Sequence, residues 1–338
     1  MELNNNNNKI QSYPKRSIND VAEFLGITTQ AVHKQLRSKN INCEKYGNKS
    51  FITFETARSL FNFQFKKKKI AVQIVKGGTG KTTSIYNIAS CANTYGARVL
   101  VIDADPQGNL TDAFNIDAEE YPVLVDVIKG EASVDQSVIT ISPGLDLISS
   151  RIENVILDNE IINKRLPLDK LYQNILNSIS NNYDFIFIDC PPTMGQAVTA
   201  ASLFADEILA PLNPDKFSAK GLKILKQEVD ALNKSFHKKI NYKVYLNKFS
   251  GKTILSDKAV VSLISDPELE GKVLSTTIQF SQEIPNVTDE NKNAFSTLKK
   301  SAVRDDFDRL TRELLEISPL QITRETSSKQ TLPREEVA

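Results

Sequence analysis

Residues 76–83 read KGGTGKTT, directly after the apolar run IAVQIV (70–75) and ahead of a helical pattern (82–95) closed by Gly96. The glycines at 77, 78 and 80 leave no Cβ where backbone amides must crowd around an anion. A helix opening near Lys81 turns its positive dipole end toward the same point. Strand, glycine-rich loop and helix in that order form a phosphate cradle, or P-loop. In it Lys81 is expected to reach β- and γ-phosphates, and Thr82 to place its hydroxyl on Mg²⁺. A plain tight turn before a helix is the alternative, and the rest of the chain argues against it.

The runs RVLVID (98–103), LDLIS (145–149), FIFID (185–189), EILAPL (207–212) and YKVYLN (242–247) are short and rich in Val, Ile, Leu and Phe. Such runs suit strands covered on both faces of a mainly parallel sheet. Helical patterns lie between them at Leu168–Ser180, Gln196–Ala205 and Ala219–Asn233. The expected fold is α/β, a doubly wound, mainly parallel sheet. Two strands end in acids, VLVIDADPQGN (99–109) and FIFIDCPP (185–192). A carboxylate at that edge stands beside the P-loop, so Asp189 is expected to hold Mg²⁺ directly or through water.

Length and charge divide the chain further. At 338 residues it has room for one large and one small domain. The formal net charge of +1 hides an asymmetry: residues 1–69 carry 13 Lys/Arg against 5 Asp/Glu, and the remainder 29 against 36. A basic N-terminal part on an acidic body points to nucleic acid. Cys43, Cys91 and Cys190 stand alone, which argues against a disulfide framework, a zinc site or an iron–sulfur cluster. No apolar run approaches the roughly 18 residues of a membrane span. The start, MELNNNNNKIQ, lacks the apolar centre of a signal peptide, so a cytoplasmic location is expected.

The expected boundaries are a disordered tail (1–13), a compact module (14–63), a basic linker (64–69), the large domain (70–318) and a flexible tail (319–338). Within the module, SINDVAEFLGITTQAVHKQLRSKNI (17–41) reads as helix–turn–helix. Ile18, Val21, Ala22 and Leu25 share one helical face, Gly26 makes the turn, and Thr28 caps the second helix. That helix offers Thr29, Gln30, His33, Lys34 and Arg37, donor-rich side chains suited to base edges and phosphates. A hairpin turning at Gly47-Asn48 and another helix follow, an order that resembles MerR-like winged helix–turn–helix modules. A small bundle used only for dimer contacts is the alternative. Lys66–Lys69 reads as a hinge, with DNA phosphate contact as its alternative.

The loop resembles the deviant Walker A motif of the ParA/MinD family, in which an extra lysine, here Lys76, precedes the glycine pair. ADPQGN and DCPP are typical of the ParA branch, and the resemblance covers roughly 70–250 well and 250–315 loosely. It implies a P-loop NTPase of the SIMIBI type that binds ATP and Mg²⁺ and hydrolyses ATP slowly. Lys76 would reach across an ATP-sandwich homodimer to the partner's phosphates. Gly77, Gly78, Thr79, Gly80, Lys81, Thr82 and Thr83 would hold the nucleotide. Asp105 would orient the attacking water and Asp103 would sit near the metal. Asn247 and the segment Pro211–Asp215 fall where the family contacts adenine. A strand-end cap for Asp103 and a turn role for Asn247 are the plain alternatives.

Two departures stand out. Val75 precedes the signature lysine, where the family usually has Gly or a polar residue. IQFSQEIP (278–285) places Gln279 where many ParA proteins carry a DNA-binding arginine. Lys299, Lys300 and Arg304 are then the expected non-specific DNA contacts, unless they form a solvated helix face.

The resemblance implies a partition ATPase for plasmid or chromosome, acting on DNA at the nucleoid. A ParB-like centromere-binding protein would stimulate hydrolysis, and the N-terminal module would repress its own operon at an operator. A transcriptional regulator that uses ATP only as a switch is the alternative. A MinD-like membrane-associated regulator should end in a basic amphipathic helix, and ISPLQITRETSSKQTLPREEVA (317–338) is polar and broken by Pro, so no membrane partner is expected.

Overall fold

A computed structural model describes residues 13–251 and 253–320. The expected tails therefore lie almost wholly outside the described residues. Seven strands form the main sheet, in the order β10-β9-β4-β8-β5-β7-β6. They are β4 (Lys68–Val72), β5 (Val99–Asp103), β6 (Val138–Ser142), β7 (Leu145–Ile148), β8 (Phe185–Asp189), β9 (Glu207–Leu212) and β10 (Asn241–Leu246). Every pairing is parallel except β6 on β7, at the edge. Helices cover both faces and bury two apolar layers. The alternation of short apolar runs and helices thus yields the expected doubly wound sheet.

The local differences have physical reasons. The first run was expected as a strand at 70–75. It begins earlier, at Lys68, and ends at Val72, where β4 turns out toward the glycines. Leu168–Ser180 was expected as one helix, but only Leu171–Ile175 is α-helical, with a 3-10 turn at Ser180–Asn182. Asn and Ser side chains compete with the helix ladder for backbone groups, so a stretch carrying Asn174, Asn177, Ser178 and Ser180 favours turns over one long helix. The helix expected at Ala219–Asn233 is longer, Lys216–Phe236, because Asp215 caps it by accepting from the amides of Phe217 and Ser218. Neither β6 nor the helix Ala302–Leu315 was assigned from sequence.

The N-terminal residues form two helices, Ile18–Leu25 and Thr29–Ser38, joined at Gly26 in the left-handed region. The side chain of Thr28 caps the second by accepting from the amide of Ala31. Strands β1 (Arg16–Ser17), β2 (Glu44–Tyr46) and β3 (Lys49–Ile52) make a small sheet ordered β1-β3-β2, and the helix Phe54–Phe61 follows. Ile18, Val21 and Ala22 are buried as expected, but so is Phe24, on another side of its helix. Phe24 meets Tyr95 at 4.9 Å and Phe61 at 5.6 Å, and Phe61 stacks on Phe63 at 5.4 Å. Gly96 carries φ of +85°, and a Cβ there would meet the Arg58 backbone at 2.5 Å. The module therefore shares its core with the large domain.

The stretch 64–69 does not hang free between them. Phe65 packs edge-on against Phe185 at 5.4 Å. Lys67 Nζ donates to the Asn181 carbonyl at 2.7 Å, Lys68 Nζ to the Leu314 carbonyl at 3.0 Å, and Lys68 pairs with Glu207 at 3.6 Å. The apolar stems of these lysines cover the sheet's rim while their heads find carbonyls. The expected hinge is, in the structure, the first residues of β4 and a strap leading to them.

Candidate nucleotide site

The P-loop leaves β4 and is braced from outside. Asn247 Nδ2 donates to the Thr79 carbonyl at 2.7 Å. Lys248 Nζ and Asn213 Nδ2 donate to the Gly78 carbonyl at 2.9 and 3.3 Å. Gly80 has φ of +90°, and a Cβ there would collide with the Asn247 side chain. Helix Lys81–Asn93 starts here, its first amides facing the loop. Lys81 Nζ folds onto the Lys76 carbonyl at 3.3 Å. Burial lowers the Lys81 pKa, and the Asp189 carboxylate is the strongest neighbour opposing that.

β8 lies between β4 and β5, so Asp189 stands level with Val72 on one side and Asp103 on the other. Asp103 is engaged. It accepts from the amide and hydroxyl of Thr111 at 3.0 and 2.8 Å and from the Asp105 amide at 3.2 Å. Burial still pushes its pKa up to about 7. Asp105, half-buried at the cleft mouth, accepts from the Gln107 amide at 3.0 Å. Asp103 thus shapes the loop that carries Asp105.

Asp189 differs. It is 1% exposed and neither carboxylate oxygen has a hydrogen-bond partner. Burial raises its pKa well above the ordinary range and the charge of Asp103 adds to this; Thr82, close by but outside hydrogen-bond geometry, and Lys81 ease it. An orphaned buried carboxylate beside a P-loop hydroxyl fits a divalent cation. Among the described residues no group of three or more His, Cys, Asp or Glu gathers to cage a metal. Mg²⁺ keeps waters and phosphate oxygens and takes one or two protein ligands, and Asp189 and Thr82 are the residues that would hold it.

The sign of the pH effect follows. A carboxyl whose folded pKa is raised contributes most stability below its unfolded pKa, and loses it as pH rises toward the folded value. Asp189→Asn should therefore stabilise the nucleotide-free protein by about 1–3 kcal/mol at pH 8 and much less at about pH 4, near the pKa of an unfolded carboxyl. It should also abolish Mg²⁺-dependent ATP binding. Thermal melts at the two pH values check the first, and an equal gain at both would contradict it.

The loop floors a cleft of about 900 Å³ that takes in Gly77, Gly78, Gly80, Thr82, Thr83, Asp105 and Asn247. Its far wall is Ile278, Gln279, Phe280 and Ile284, none of them among the expected nucleotide contacts. Alternating apolar residues near 278–284 were the available signal. Thr79 is fully buried behind the loop. Pro211 is buried within β9 and does not reach the cleft. The carbonyl of Leu209 faces β4 and that of Leu212 faces β10, so the Pro211 nitrogen points where β4 has already left the sheet. A proline is tolerated there because no partner awaits its missing N–H. Lys76 does not line the cleft: its Nζ sits 2.6 Å from Asp215 and 3.2 Å from Ser218 Oγ.

Of the expected DNA contacts, Gln30, Lys34 and Arg37 are exposed along helix Thr29–Ser38, while Thr29 and His33 are half-buried. The C-terminal group does not form a free cluster. Arg304 is buried, donating to the carbonyls of Ala294, Thr297 and Lys15 and lying over the Phe295 ring. The five N–H donors of one guanidinium let Arg304 serve all three carbonyls from a buried position. Lys300 is 3.0 Å from Glu23, and Lys299 is 4.0 Å from Glu283. Among the described residues no helix is long and apolar enough to cross a membrane.

Comparison with known proteins bears on the family. An AAA domain family matches residues 67–242. A ParA family protein of Chlamydia muridarum is 32% identical over 254 residues, covering 73% of this chain and 97% of that one. The chromosome partitioning protein ParA of Caulobacter vibrioides is 32% identical over 194 residues, 56% of this chain and 72% of that one. A plasmid partition protein from Borrelia burgdorferi bound to AMPPNP has the same fold at a TM-score of 0.63 and 21% identity, covering 74% of this chain and 99% of that one. The braced P-loop, the orphaned acid behind it and a relative matched over nearly its whole length place the chain in the ParA family of P-loop ATPases.

Proposed function

We propose that the chain is a partition ATPase whose two sites are each completed by a second copy of itself. The observation that carries this is the position of Lys76: its backbone belongs to the P-loop, yet its amine lies outside its own cleft. ATP with Mg²⁺ occupies the cleft, with Lys81 and Thr82 on phosphate and metal, Asp189 behind the metal, and Asp105 toward the attacking water. Adenine lies toward Asn247 and the Phe280 wall. Phosphoryl transfer needs charge neutralisation and a placed water more than covalent help, so hydrolysis is slow until Lys76 arrives from the partner.

The ATP-bound homodimer binds DNA without sequence preference. A ParB-like centromere-binding protein stimulates hydrolysis and releases it, and repetition of that cycle at the nucleoid distributes plasmid or chromosome copies. The N-terminal residues, with two helices joined by a glycine turn and a hairpin after them, serve as a winged helix–turn–helix that binds an operator and represses the operon. Arg37→Ala should weaken operator binding by about 1–3 kcal/mol if Arg37 reads a base. A footprint identical to that of the unaltered protein would remove the operator role.

A second reading, an ATP-switched transcriptional regulator without a segregation role, draws support from the core shared between the module and the P-loop helix. A plasmid-loss assay separates the two. Lys81→Ala should raise loss toward the rate of random segregation; normal inheritance with that variant would leave regulation alone.

A further inference from the structure

Helix Lys216–Phe236 carries lysines at 216, 220 and 223, spaced four and three apart, so their side chains lie along one stripe about 10 Å long. All three are exposed. None makes an ion pair or hydrogen bond among the described residues, although Lys216 lies over the Phe217 ring at 5.3 Å. Asp230 closes the stripe on its C-terminal side. Lys226, Lys216 and Lys223 line a cavity of about 620 Å³ with exposed Lys258 across it. Two of the acids in that cavity, Asp266 and Glu268, are both taken by Lys226. Charge on the stripe is therefore left uncompensated.

Its place on the molecule matters as much as its charge. Asp215, which caps this helix, holds Lys76 at 2.6 Å. If Lys76 reaches a partner's phosphates, the start of this helix must lie at the edge of the closed dimer. In such a dimer each protomer would bring its own three lysines near that edge, six in all. The arginine that Gln279 replaces is absent, Arg304 is buried, and Lys300 is held by Glu23.

We infer that Lys216, Lys220 and Lys223 form the phosphate-backbone contact by which the ATP-bound dimer holds DNA of any sequence, with Lys258 at its flank. The ligand is duplex DNA read as a polyanion, since lysines act as point charges and carry no base readout. This rests on the partition reading above, through the dimer and through DNA as cargo track.

The test follows ATP-dependent binding of full-length protein to a random-sequence duplex by fluorescence anisotropy across a salt series. The N-terminal module adds a background, so the increment produced by ATP is the quantity read. K216Q/K220Q/K223Q should reduce the slope of log K against log salt by about 5 for three lysines from each protomer, and weaken binding by roughly two orders of magnitude. Fluorescent-ATP binding should be unchanged, which shows that the variant folds. K216R/K220R/K223R should bind like the unaltered protein. A control that removes as many exposed charges outside this helix, R165Q/K170Q/K239Q, should shift the slope far less. If the unaltered protein gains no DNA affinity with ATP, the partition reading itself fails. If it does gain affinity and the glutamine variant keeps both affinity and slope, the lysine stripe is not the contact. If binding to an acidic protein partner is lost while DNA binding survives, the stripe is a protein site and the inference is overturned.

Discussion

Lys76→Ala is expected to keep ATP bound and to lose its turnover, by a factor on the order of 10³ or more, the scale set by a missing cationic finger in phosphoryl transfer. The Lys76 amine does not brace the P-loop: Asn247, Lys248 and Asn213 hold the loop's carbonyls, and the Lys76 amine is on Asp215. Binding should therefore survive. Lys81→Ala should behave oppositely, because the Lys81 amine lies within its own phosphate site and its loss weakens binding itself. Fluorescent-nucleotide titration and phosphate release measure the two separately. Mixing the variants adds a sharper comparison. A heterodimer has one site with an intact Lys81 and a lysine delivered by the other protomer, so the mixture should recover turnover that neither variant has alone. No recovery, or full turnover by Lys76→Ala alone, would rule out the shared site.

Arg16→Ala should lower global stability by about 3–5 kcal/mol, the cost of leaving a buried charge without its partner. The Arg16 guanidinium is 3% exposed, 3.9 Å over the Tyr95 ring, 3.1 Å from Thr94 Oγ1 and 2.5 Å from Asp308. Tyr95 donates its hydroxyl to the same Asp308 at 2.9 Å. Burial would raise the Asp308 pKa, and Arg16, helped by Tyr95 and Arg312, more than reverses it, so the carboxyl is held below its usual range. That depressed pKa contributes stability above the unfolded value and loses it as pH falls through the folded one. Urea unfolding at neutral pH should show a single transition, since module and body share one core. Arg16→Ala with Asp308→Ala should cost less than the sum of the two. A loss under about 1 kcal/mol, or a separate early transition for the N-terminal module, would contradict the fused core.

How much of this was legible beforehand can be traced residue by residue. Gly78, Gly80, Lys81, Thr82, Asp105 and Asp189 were selected from loop spacing and from acids at strand ends, and the structure gathers all of them at one edge of the sheet. Local sequence sufficed because strand, loop and helix are consecutive and the two acidic strands, β8 and then β5, lie side by side next to β4. Pro211 was misplaced because a segment near the cleft need not aim every residue into it. Arg304 was misread because an amphipathic helix shows its apolar stripe in sequence but not the carbonyls waiting beneath it. Phe24 looked off-face because its helix is covered on two sides, one of them by residues some 70 positions later.

What the sequence by itself determined was the phosphate chemistry and the parallel sheet, since both are written in short-range spacing: glycines where a Cβ cannot fit, and apolar runs of strand length. Only the tertiary structure decided that Asp189 is an unpartnered carboxylate while Asp103 is a satisfied one, although both end a strand with the same residue type. It also decided that the basic stretch before β4 is packed rather than hinged, and that Arg16, Tyr95 and Asp308 join the module to the body. These outcomes depend on which groups meet across long separations, and the desolvation and pairing that set their energies exist only once the chain has folded.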